Sequence, residues 1–454
     1  MERQQDQSRN VFRHPARFRR WLSLLGCCLA LSLNPLFAQE SRADALPPPL
    51  TDSLPTDTTF VSLFPACDEE LIPCVTGLDE HGDYPTGELS GFIQIDSAAF
   101  EQSPASMAAF GDINNRTAVR RARLALTGDL ATDVGYKLDV EFATSPPAAR
   151  DVYLDFRDRP YADRLVVGTT KVPFQMEALT SSKNFTFAER APFFTFSPFR
   201  QVGIWADGTL EEERGTWSLA GFLVGKGGFD LNHNADGQGF AARTTYLHWY
   251  EDDGRDLLHT GLNYSVLQPF NNQVRYDSKL SFFTNQEPGI NSSGPPQLVD
   301  TGNVPAESVN LFNFELAGSR GRLNYQAELT YALVNQIGGP PLVFYGGYAQ
   351  AGWFFTGESK PYNRKAGVFD SVKPLHSFFD GGWGAWELAA RGTFLNLNDK
   401  NVTGGRMNSA ELALNWYLSD QLSVKFDYVH GFINNATTDD LPIDVIGGRL
   451  QYIY

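Results

Sequence analysis

The chain has 454 residues, of which 42% are apolar and 13% aromatic, with 41 glycines and four cysteines. This composition excludes a disordered chain, a fibrous protein and a small disulfide-stabilised scaffold. The formal net charge of −16 argues against a nucleic-acid-binding protein, which would present a basic surface.

The first 38 residues have the pattern of a secretory signal. Six arginines within the first twenty residues precede an apolar run from Trp21 to Phe37, and the small residue Ala38 follows. We therefore predict a signal peptide over residues 1–38, cleaved after Ala38. Lipoprotein processing at Cys27 is the weaker alternative, because it would leave an apolar core of only about six residues.

Residues 39–88 form an acidic, proline-containing extension with eleven acidic side chains and one basic side chain. They show no sustained periodicity of two or of 3.6 residues, so we predict a linker-like segment. Cys67 and Cys74 are the two cysteines that remain after cleavage. In an oxidising compartment they are expected to form one disulfide, with two free thiols as the alternative.

From Leu89 to the end, short segments alternate between apolar and polar residues. In residues 136–142, for example, Lys137, Asp139 and Glu141 share one face while the aromatic and aliphatic side chains share the other. This period of two is typical of strands. No segment after the signal is long and apolar enough for a membrane helix, so any membrane crossing must use strands.

Three features distinguish a membrane barrel from a soluble sandwich. Apolar faces begin or end with aromatic residues, alternate connections are short, and the chain ends on an alternating strand that carries an aromatic terminus. We predict an all-β fold, a transmembrane antiparallel β-barrel spanning 89–454. Its sixteen predicted strands lie near 89–99, 117–128, 134–143, 150–157, 164–172, 201–210, 215–224, 239–250, 257–267, 308–318, 322–334, 342–356, 383–397, 406–418, 421–431 and 444–454.

The strand count leaves one alternative open. A variant with eighteen strands would use residues 274–283 as an additional strand. The sixteen-strand prediction makes residues 357–382 a periplasmic connection of unusual length, since such turns are ordinarily short. At sixteen strands the barrel is wide enough to enclose an aqueous channel.

Several stretches resemble the phosphate-selective porin family, of the porin O and P type. They are Arg120 to Arg123, Lys171 to Phe174 with Glu177, Thr180 to Ser182, Phe187 and Glu189-Arg190, Val299 to Gly302, Phe355 to Tyr362, Gly381 to Arg391, Asn415 to Leu418, and Phe426 to His430. The resemblance implies a homotrimeric, sixteen-stranded, anion-permeable porin of the cell outer membrane. It also implies that the third and fifth loops fold into the bore, where basic residues attract phosphate.

An anion pathway needs arginine or lysine side chains along the bore. On this prediction loop three is Pro173 to Arg200, and it contributes Lys183, Arg190 and Arg200. The remaining candidates come from two sources. Side-chain alternation along the predicted strands directs Arg121, Arg123, Lys137, Lys171, Arg243 and Arg391 toward the bore, and loop five contributes Arg275 and Lys279. The alternative role for each residue is pairing with an inward-facing carboxylate, since residues 89–454 hold 30 basic and 40 acidic side chains.

We therefore predict an outer-membrane porin for small anions, most plausibly phosphate or polyphosphate, rather than an enzyme. Because acidic residues outnumber basic ones, a general or weakly cation-preferring porin is the alternative. A barrel that anchors the acidic extension to a periplasmic partner is another. The sequence predicts no cofactor, no metal and no catalytic residues, since it lacks nucleotide-binding and hydrolase motifs. Predicted partners are outer-membrane lipid, small anions and two further copies of the chain.

Overall fold

The computed structural model describes residues 84–225, 237–280, 282–283, 295–434 and 441–454. The predicted signal peptide, most of the acidic extension and the cysteine pair of Cys67 and Cys74 lie outside the described residues. Within those residues, no helix has the length and apolarity needed to cross a membrane.

Sixteen long strands of the described residues form one closed antiparallel sheet. The first eight are β1 (Glu88–Gln102), β2 (Arg116–Ala131), β3 (Val134–Glu141), β4 (Ala148–Arg159), β5 (Ala162–Lys171), β6 (Arg200–Leu210), β7 (Gly215–Val224) and β8 (Gly237–Glu251). The second eight are β9 (Asp256–Gln268), β10 (Val304–Arg320), β11 (Leu323–Gln336), β12 (Leu342–Phe354), β13 (Ala385–Asp399), β14 (Val402–Tyr417), β15 (Leu422–Asn434) and β16 (Leu441–Ile453). Pairing of β1 with β16 closes the barrel.

The alternation of side chains sets the two faces of the wall. In β15, Lys425 and Asp427 are buried toward the bore, whereas Phe426 is 55% exposed on the outside. Successive residues of a strand point to opposite faces, and Lys425 and Asp427 are two positions apart. Both charged side chains of this strand therefore point inward. The outer surface is thus apolar, as lipid requires.

The connections differ at the two ends of the barrel. At one end, most turns have two to four residues, including 132–133, 160–161 and 321–322. At the other end lie loop three (172–199) and loop five (269–303), and two small helices, α1 (Pro104–Phe110) and α2 (Met176–Leu179), belong to this set of loops. Short turns mark the periplasmic end of such barrels, so loops three and five start from the outer end.

The prediction of sixteen strands is confirmed, and the eighteen-strand alternative is wrong. Residues 273–274 pair with 304–305, and residues 277–278 pair with 299–300, so each pairing involves two residues per strand. This part of loop five is too short and too irregular to add a membrane-spanning strand, which needs about 9–11 residues. The long connection between β12 and β13 is also observed, over residues 355–384.

Candidate ion pathway

Loop three folds into the bore and is fixed there by buried ion pairs. The Glu189 carboxylate lies 2.5 Å from Arg120 Nε, 3.0 Å from Arg121 Nη2 and 3.3 Å from Arg449 Nη2. Burial alone would raise the pKa of Glu189, but the three guanidinium groups hold it below its ordinary value. Glu189 therefore joins the loop to strands β2 and β16 as a permanently ionised group.

Carboxylates of β11 and β15 hold the loop at further points. The Glu328 carboxylate of β11 accepts hydrogen bonds from the backbone N–H groups of Met176 and Glu177, each at 2.8 Å. Asp427 of β15 accepts one from the N–H of Ala188 at 2.7 Å. Loop three thus spans the bore from β11 to β16 and fills that side of it.

The other side of the bore is more accessible to solvent at several positions. Inward side chains of β3, β4 and β5 retain partial exposure, which reaches 27% for Lys137, 40% for Arg157 and 44% for Arg164. Their counterparts on β13 and β15, such as Arg391 and Lys425, are almost fully buried. We infer from this difference that the ion path runs between loop three and the wall formed by β3 to β5.

A cluster of basic side chains lies where loop three meets this path. The basic cluster consists of Arg123, Lys137, Lys171, Arg190 and Arg200. Asp151 lies 2.8 Å from Arg200, 3.8 Å from Lys137 and 3.9 Å from Arg123. Arg123 is bound more closely by Asp139, at 2.5 Å. Arg123, Lys137 and Arg200 thus lie around Asp139 and Asp151, while Glu177 lies beside Arg190. Basic side chains outnumber carboxylates in this cluster, and a local excess of positive charge favours anions.

Two members of the basic cluster are held by groups other than carboxylates. Lys171 Nζ donates to the backbone carbonyls of Leu179 and Thr180, at 2.8 and 3.0 Å. The Arg190 guanidinium lies between aromatic rings, with centroids at 4.6 Å for Phe185, 4.6 Å for Phe194 and 4.9 Å for Phe199. These contacts orient the cations without neutralising their charge.

The other predicted residues inside the barrel are paired with carboxylates. Arg121 holds Glu189, Arg243 lies 2.9 Å from Glu315, and Arg391 lies 2.6 Å from Glu411. Their positions on the inner face agree with the prediction made from the alternation of side chains along each strand. Because each ion pair is buried, these three arginines act mainly as supports for loop three and the wall.

The three remaining predicted residues lie in the loops. Arg275 of loop five binds Asp300, with 2.9 Å between Nε and the carboxylate, and is 45% exposed. Lys279 is also in loop five, where burial lowers its pKa. Lys183 of loop three is half-buried, and no carboxylate of the described residues lies within 4.0 Å of its Nζ. Lys183 is the lysine of loop three, and its positive charge is therefore available to a passing anion.

The connection between β12 and β13 enters the bore from the periplasmic end. The Tyr362 hydroxyl lies 2.6 Å from Nδ1 of the buried His259, and Arg243 donates to the carbonyls of Ala366 and Gly367 at 3.1 and 2.7 Å. On its other side, Phe369 packs in an apolar cluster with Met176 and Ala317. The periplasmic insert, residues 360–371, therefore lies between loop three and the wall of β8 to β10.

The titration of Glu177 gives a testable pH dependence. Its carboxyl accepts the N–H of Ala191 at 3.1 Å and lies 3.4 Å from Arg391. Burial outweighs these contacts and raises the pKa of Glu177 to about 7. The stabilisation associated with the neutral form is present below the ordinary pKa and is lost as the pH rises through about 7.

We expect anion selectivity to fall as the pH rises from about 5.5 to about 8.5, because ionisation adds a negative charge beside Arg190. Zero-current potentials recorded across this range in planar bilayers measure the change. Glu177→Gln should remove this part of the dependence, and Glu211→Gln, in an exposed periplasmic turn, should leave it. Equal pH slopes for all three proteins would contradict the assignment.

Comparison with known proteins gives the family. The family model described as phosphate-selective porin O and P matches residues 90–454. The chain belongs to this family. Porin O of Pseudomonas aeruginosa is 25% identical over 407 residues, which cover 81% of this chain and 88% of Porin O. An uncharacterised protein of Caulobacter vibrioides is 28% identical over 438 residues, covering 91% of this chain and 84% of that protein.

A solved structure agrees with the porin fold. In vitro folded OmpT, an outer membrane protein of Vibrio cholerae, superposes with a TM-score of 0.50 at 9% identity, covering 82% of this chain and 98% of OmpT. The phosphate-selective porin O and P family and the closed barrel identify this chain as an outer-membrane porin. It is therefore a channel of the outer membrane, and small solutes pass through its bore.

Sequence reasoning missed several buried cations of this porin. Arg449 is fully buried between Asp96, at 2.7 Å, and Glu189, and Lys425 donates to the carbonyl of Phe185. The alternation of side chains along β15 and β16 assigns Lys425 and Arg449 to the inner face, so the sequence pattern was sufficient to find them. Lys360, which donates to the Thr186 hydroxyl, lies in the periplasmic insert, where no strand periodicity gives its direction.

Within the described residues, no group of three or more His, Cys, Asp or Glu side chains is arranged to hold a metal ion. The buried His259 is bound by Glu315 at 3.0 Å and by Tyr362, so it belongs to the packing of the periplasmic insert.

Proposed function

We propose that this porin conducts small anions, with phosphate as its most plausible physiological solute and polyphosphate as a further one. The observation that carries the proposal is the basic cluster, where five basic side chains lie together with the carboxylates of Asp139, Asp151 and Glu177 inside the barrel. A local field of this sign compensates the dehydration of an anion that passes the constriction.

The geometry of the cluster suits an oxyanion. Arg190 presents a planar guanidinium that lies between aromatic rings and donates to the backbone carbonyls of Glu177, Ala178 and Thr180. Planar guanidinium groups match the oxygens of phosphate in a bidentate manner, and lysines such as Lys183 and Lys171 add point charge. Backbone carbonyls already hold part of Lys171 and Arg190, so a passing anion meets a site of moderate strength that can release it.

The acidic balance of the whole chain favours the alternative of a general or weakly cation-preferring porin. Many of these carboxylates are engaged in buried pairs, as Glu189, Glu315 and Glu411 illustrate. A paired carboxylate contributes little field to the open path. We therefore give more weight to the local charge beside loop three than to the net charge.

Charge reversal tests the proposal. In the double variant Lys183→Glu/Arg190→Glu, we expect the anion preference in a KCl gradient to be lost and phosphate block of the chloride current to weaken about tenfold or more. Two negative charges would then replace two positive charges at the constriction. Single-channel recordings in planar bilayers, with chloride alone and then with added phosphate, measure both effects.

The matched control reverses two charges outside the pathway, in Lys373→Glu/Lys400→Glu. Both lysines are exposed at the ends of the barrel, and we expect this variant to keep the selectivity of the native protein. Unchanged selectivity in the Lys183→Glu/Arg190→Glu variant would contradict the proposed pathway and favour the general porin.

We also propose that the porin assembles as a homotrimer, as the sequence resemblance implies. The predicted signal peptide, disulfide and acidic extension remain predictions, because they lie wholly or largely outside the described residues.

A further inference from the structure

Two stacked tryptophans mark the outer face of the wall near its periplasmic end. In β14, Asn415 and Tyr417 are buried toward the bore, so Trp416 between them points outward. Register places Trp386 of β13 opposite Trp416, and the two indole rings stack with 5.0 Å between their centroids. Leu388 follows on the same face of β13 and is 46% exposed. This part of the wall therefore belongs to the surface that faces lipid.

The connection between β12 and β13 crosses the periplasmic rim of the barrel beside these tryptophans. Val372 lies inside the barrel, where it packs with Phe354 and Tyr417. The ring of Phe378 lies outside, because it packs edge to face against Trp416 with 5.2 Å between the ring centroids. We call residues 375–384 the rim turn. The rim turn and the periplasmic insert thus lie on opposite faces of the wall.

Hydrogen bonds fix the rim turn to the outer face. The Nε1 atoms of Trp386 and Trp416 both donate to the backbone carbonyl of Trp383, at 3.1 and 2.9 Å. The N–H of Phe378 donates at 2.8 Å to the carbonyl of Leu418, in the connection that follows β14. The rim turn is therefore attached to β13, to β14 and to the connection between β14 and β15.

The rim turn also pairs backbone donors within itself. The Ser377 hydroxyl accepts the N–H of Phe379 at 3.2 Å and caps the short 3-10 turn Phe378–Asp380. Four further N–H groups donate to carbonyls of residues 376–378 at 2.9–3.2 Å, and they belong to Asp380, Gly381, Gly382 and Gly384. Irregular backbone with unpaired polar groups is excluded from contact with lipid. Because these groups are paired, the rim turn is suited to the lipid boundary.

Large apolar side chains of the rim turn form an exposed patch. The exposed fraction is 59% for Leu375, 45% for Phe378, 64% for Phe379 and 80% for Trp383. Through Trp386 and Leu388 the patch continues into the lipid-facing wall. Exposed apolar patches mark interaction sites, and tryptophan is favoured where lipid meets water. The charged Asp380 is exposed beside these rings, as is typical of a segment at a membrane interface.

We propose that the rim turn is an accessory lipid anchor. It places Phe379 and Trp383 in the interfacial region of the phospholipid leaflet that borders the periplasm. Continuity with the lipid-facing wall favours this occupant over a periplasmic protein, since the patch begins at Trp386 and Trp416. The aromatic girdles of membrane barrels belong to the barrel wall, whereas this anchor belongs to a connection whose other part fills the bore. The inference rests on the outer-membrane location of the chain and does not depend on its ion selectivity.

Site-specific labelling tests the anchor. In a mature chain whose Cys67 and Cys74 are replaced by serine, Phe379→Cys carries a nitrobenzoxadiazole label and is reconstituted in vesicles of phosphatidylethanolamine and phosphatidylglycerol. Part of the lipid carries a nitroxide near the headgroup. We expect this lipid to quench the Phe379→Cys label about threefold more strongly than a label in the periplasmic insert, and aqueous iodide to give the opposite order.

The matched control is Lys365→Cys, in the periplasmic insert of the same connection. Its side chain is 78% exposed, so its label should respond to iodide rather than to the nitroxide lipid. Trp383→Cys provides a second reporter in the rim turn, because the wall contacts Trp383 through its backbone carbonyl. This label should repeat the result of Phe379→Cys.

Two results would overturn the proposal. Iodide quenching of both rim-turn labels to the level of the control, without quenching by the nitroxide lipid, would favour a surface open to a periplasmic protein. Protection from iodide that arises only at high protein-to-lipid ratios would favour contact with a second copy of the chain. Lipid quenching that is independent of this ratio supports the anchor, whichever ion the channel prefers.

Discussion

Replacing Glu189 with alanine is expected to detach loop three from the barrel wall and to destabilise the protein strongly. The carboxylate contacts Arg120, Arg121 and Arg449, all of which are buried, and Asp96 is a second partner of Arg449. Removing one partner from a buried ion-pair network typically costs about 3–5 kcal/mol, because the guanidinium groups lose a carboxylate that offsets their charge away from water. Urea unfolding in lipid vesicles, followed by tryptophan fluorescence, measures the loss in the free energy of unfolding.

The same variant should change the channel. With its anchor to β2 and β16 lost, loop three fluctuates, and we expect a higher and noisier single-channel conductance than in the native protein. Glu251→Ala is the control, since Glu251 is exposed at the end of β8 and should leave both stability and conductance unchanged. Native stability in Glu189→Ala would show that the three guanidinium groups do not depend on this carboxylate.

Removing the periplasmic insert is expected to open a second space in the bore, between loop three and the wall of β8 to β10. Residues 360–371 fill the space between loop three and the wall of β8 to β10, through contacts such as those of Tyr362 with His259 and of Phe369 with Met176. Replacement by a Gly-Ser linker of equal length leaves Arg243 paired with Glu315. Because conductance grows with the open cross-section, we expect it to rise about twofold or more.

The control for this experiment changes a connection outside the bore. Residues 337–341, between β11 and β12 at the outer end, are replaced by a linker of the same composition and should leave the conductance unaltered. Planar-bilayer recording of both variants measures the effect. A conductance equal to that of the native protein would contradict the placement of the insert in the bore.

The architecture could be predicted from the sequence because the signal is local. A strand in a membrane wall must present apolar side chains at every second residue, and all sixteen predicted segments overlap the strands observed. The same parity placed Arg123, Lys137 and Arg391 on the inner face. Differences of a few residues occur at strand ends, where the apolar alternation stops before the hydrogen bonding does.

The site was harder to predict because it depends on contacts between distant segments. Glu189 and Arg449 are separated by 260 positions and meet only after the barrel closes. The periplasmic insert has no regular periodicity, so its sequence gave no reason to place Tyr362 and Phe369 in the bore. The alternation along a strand predicts which face a side chain occupies, but it does not predict its partner on another strand. The ion pair between Arg243 of β8 and Glu315 of β10 is an example.

The zero-current potential of the native protein in a planar bilayer under a KCl gradient tests the central claim most directly. The account predicts a potential whose sign reports chloride as the more permeant ion, although residues 89–454 carry an excess of acidic side chains. A potential of the opposite sign, reporting preference for potassium, would contradict the claim that the basic cluster beside loop three governs passage.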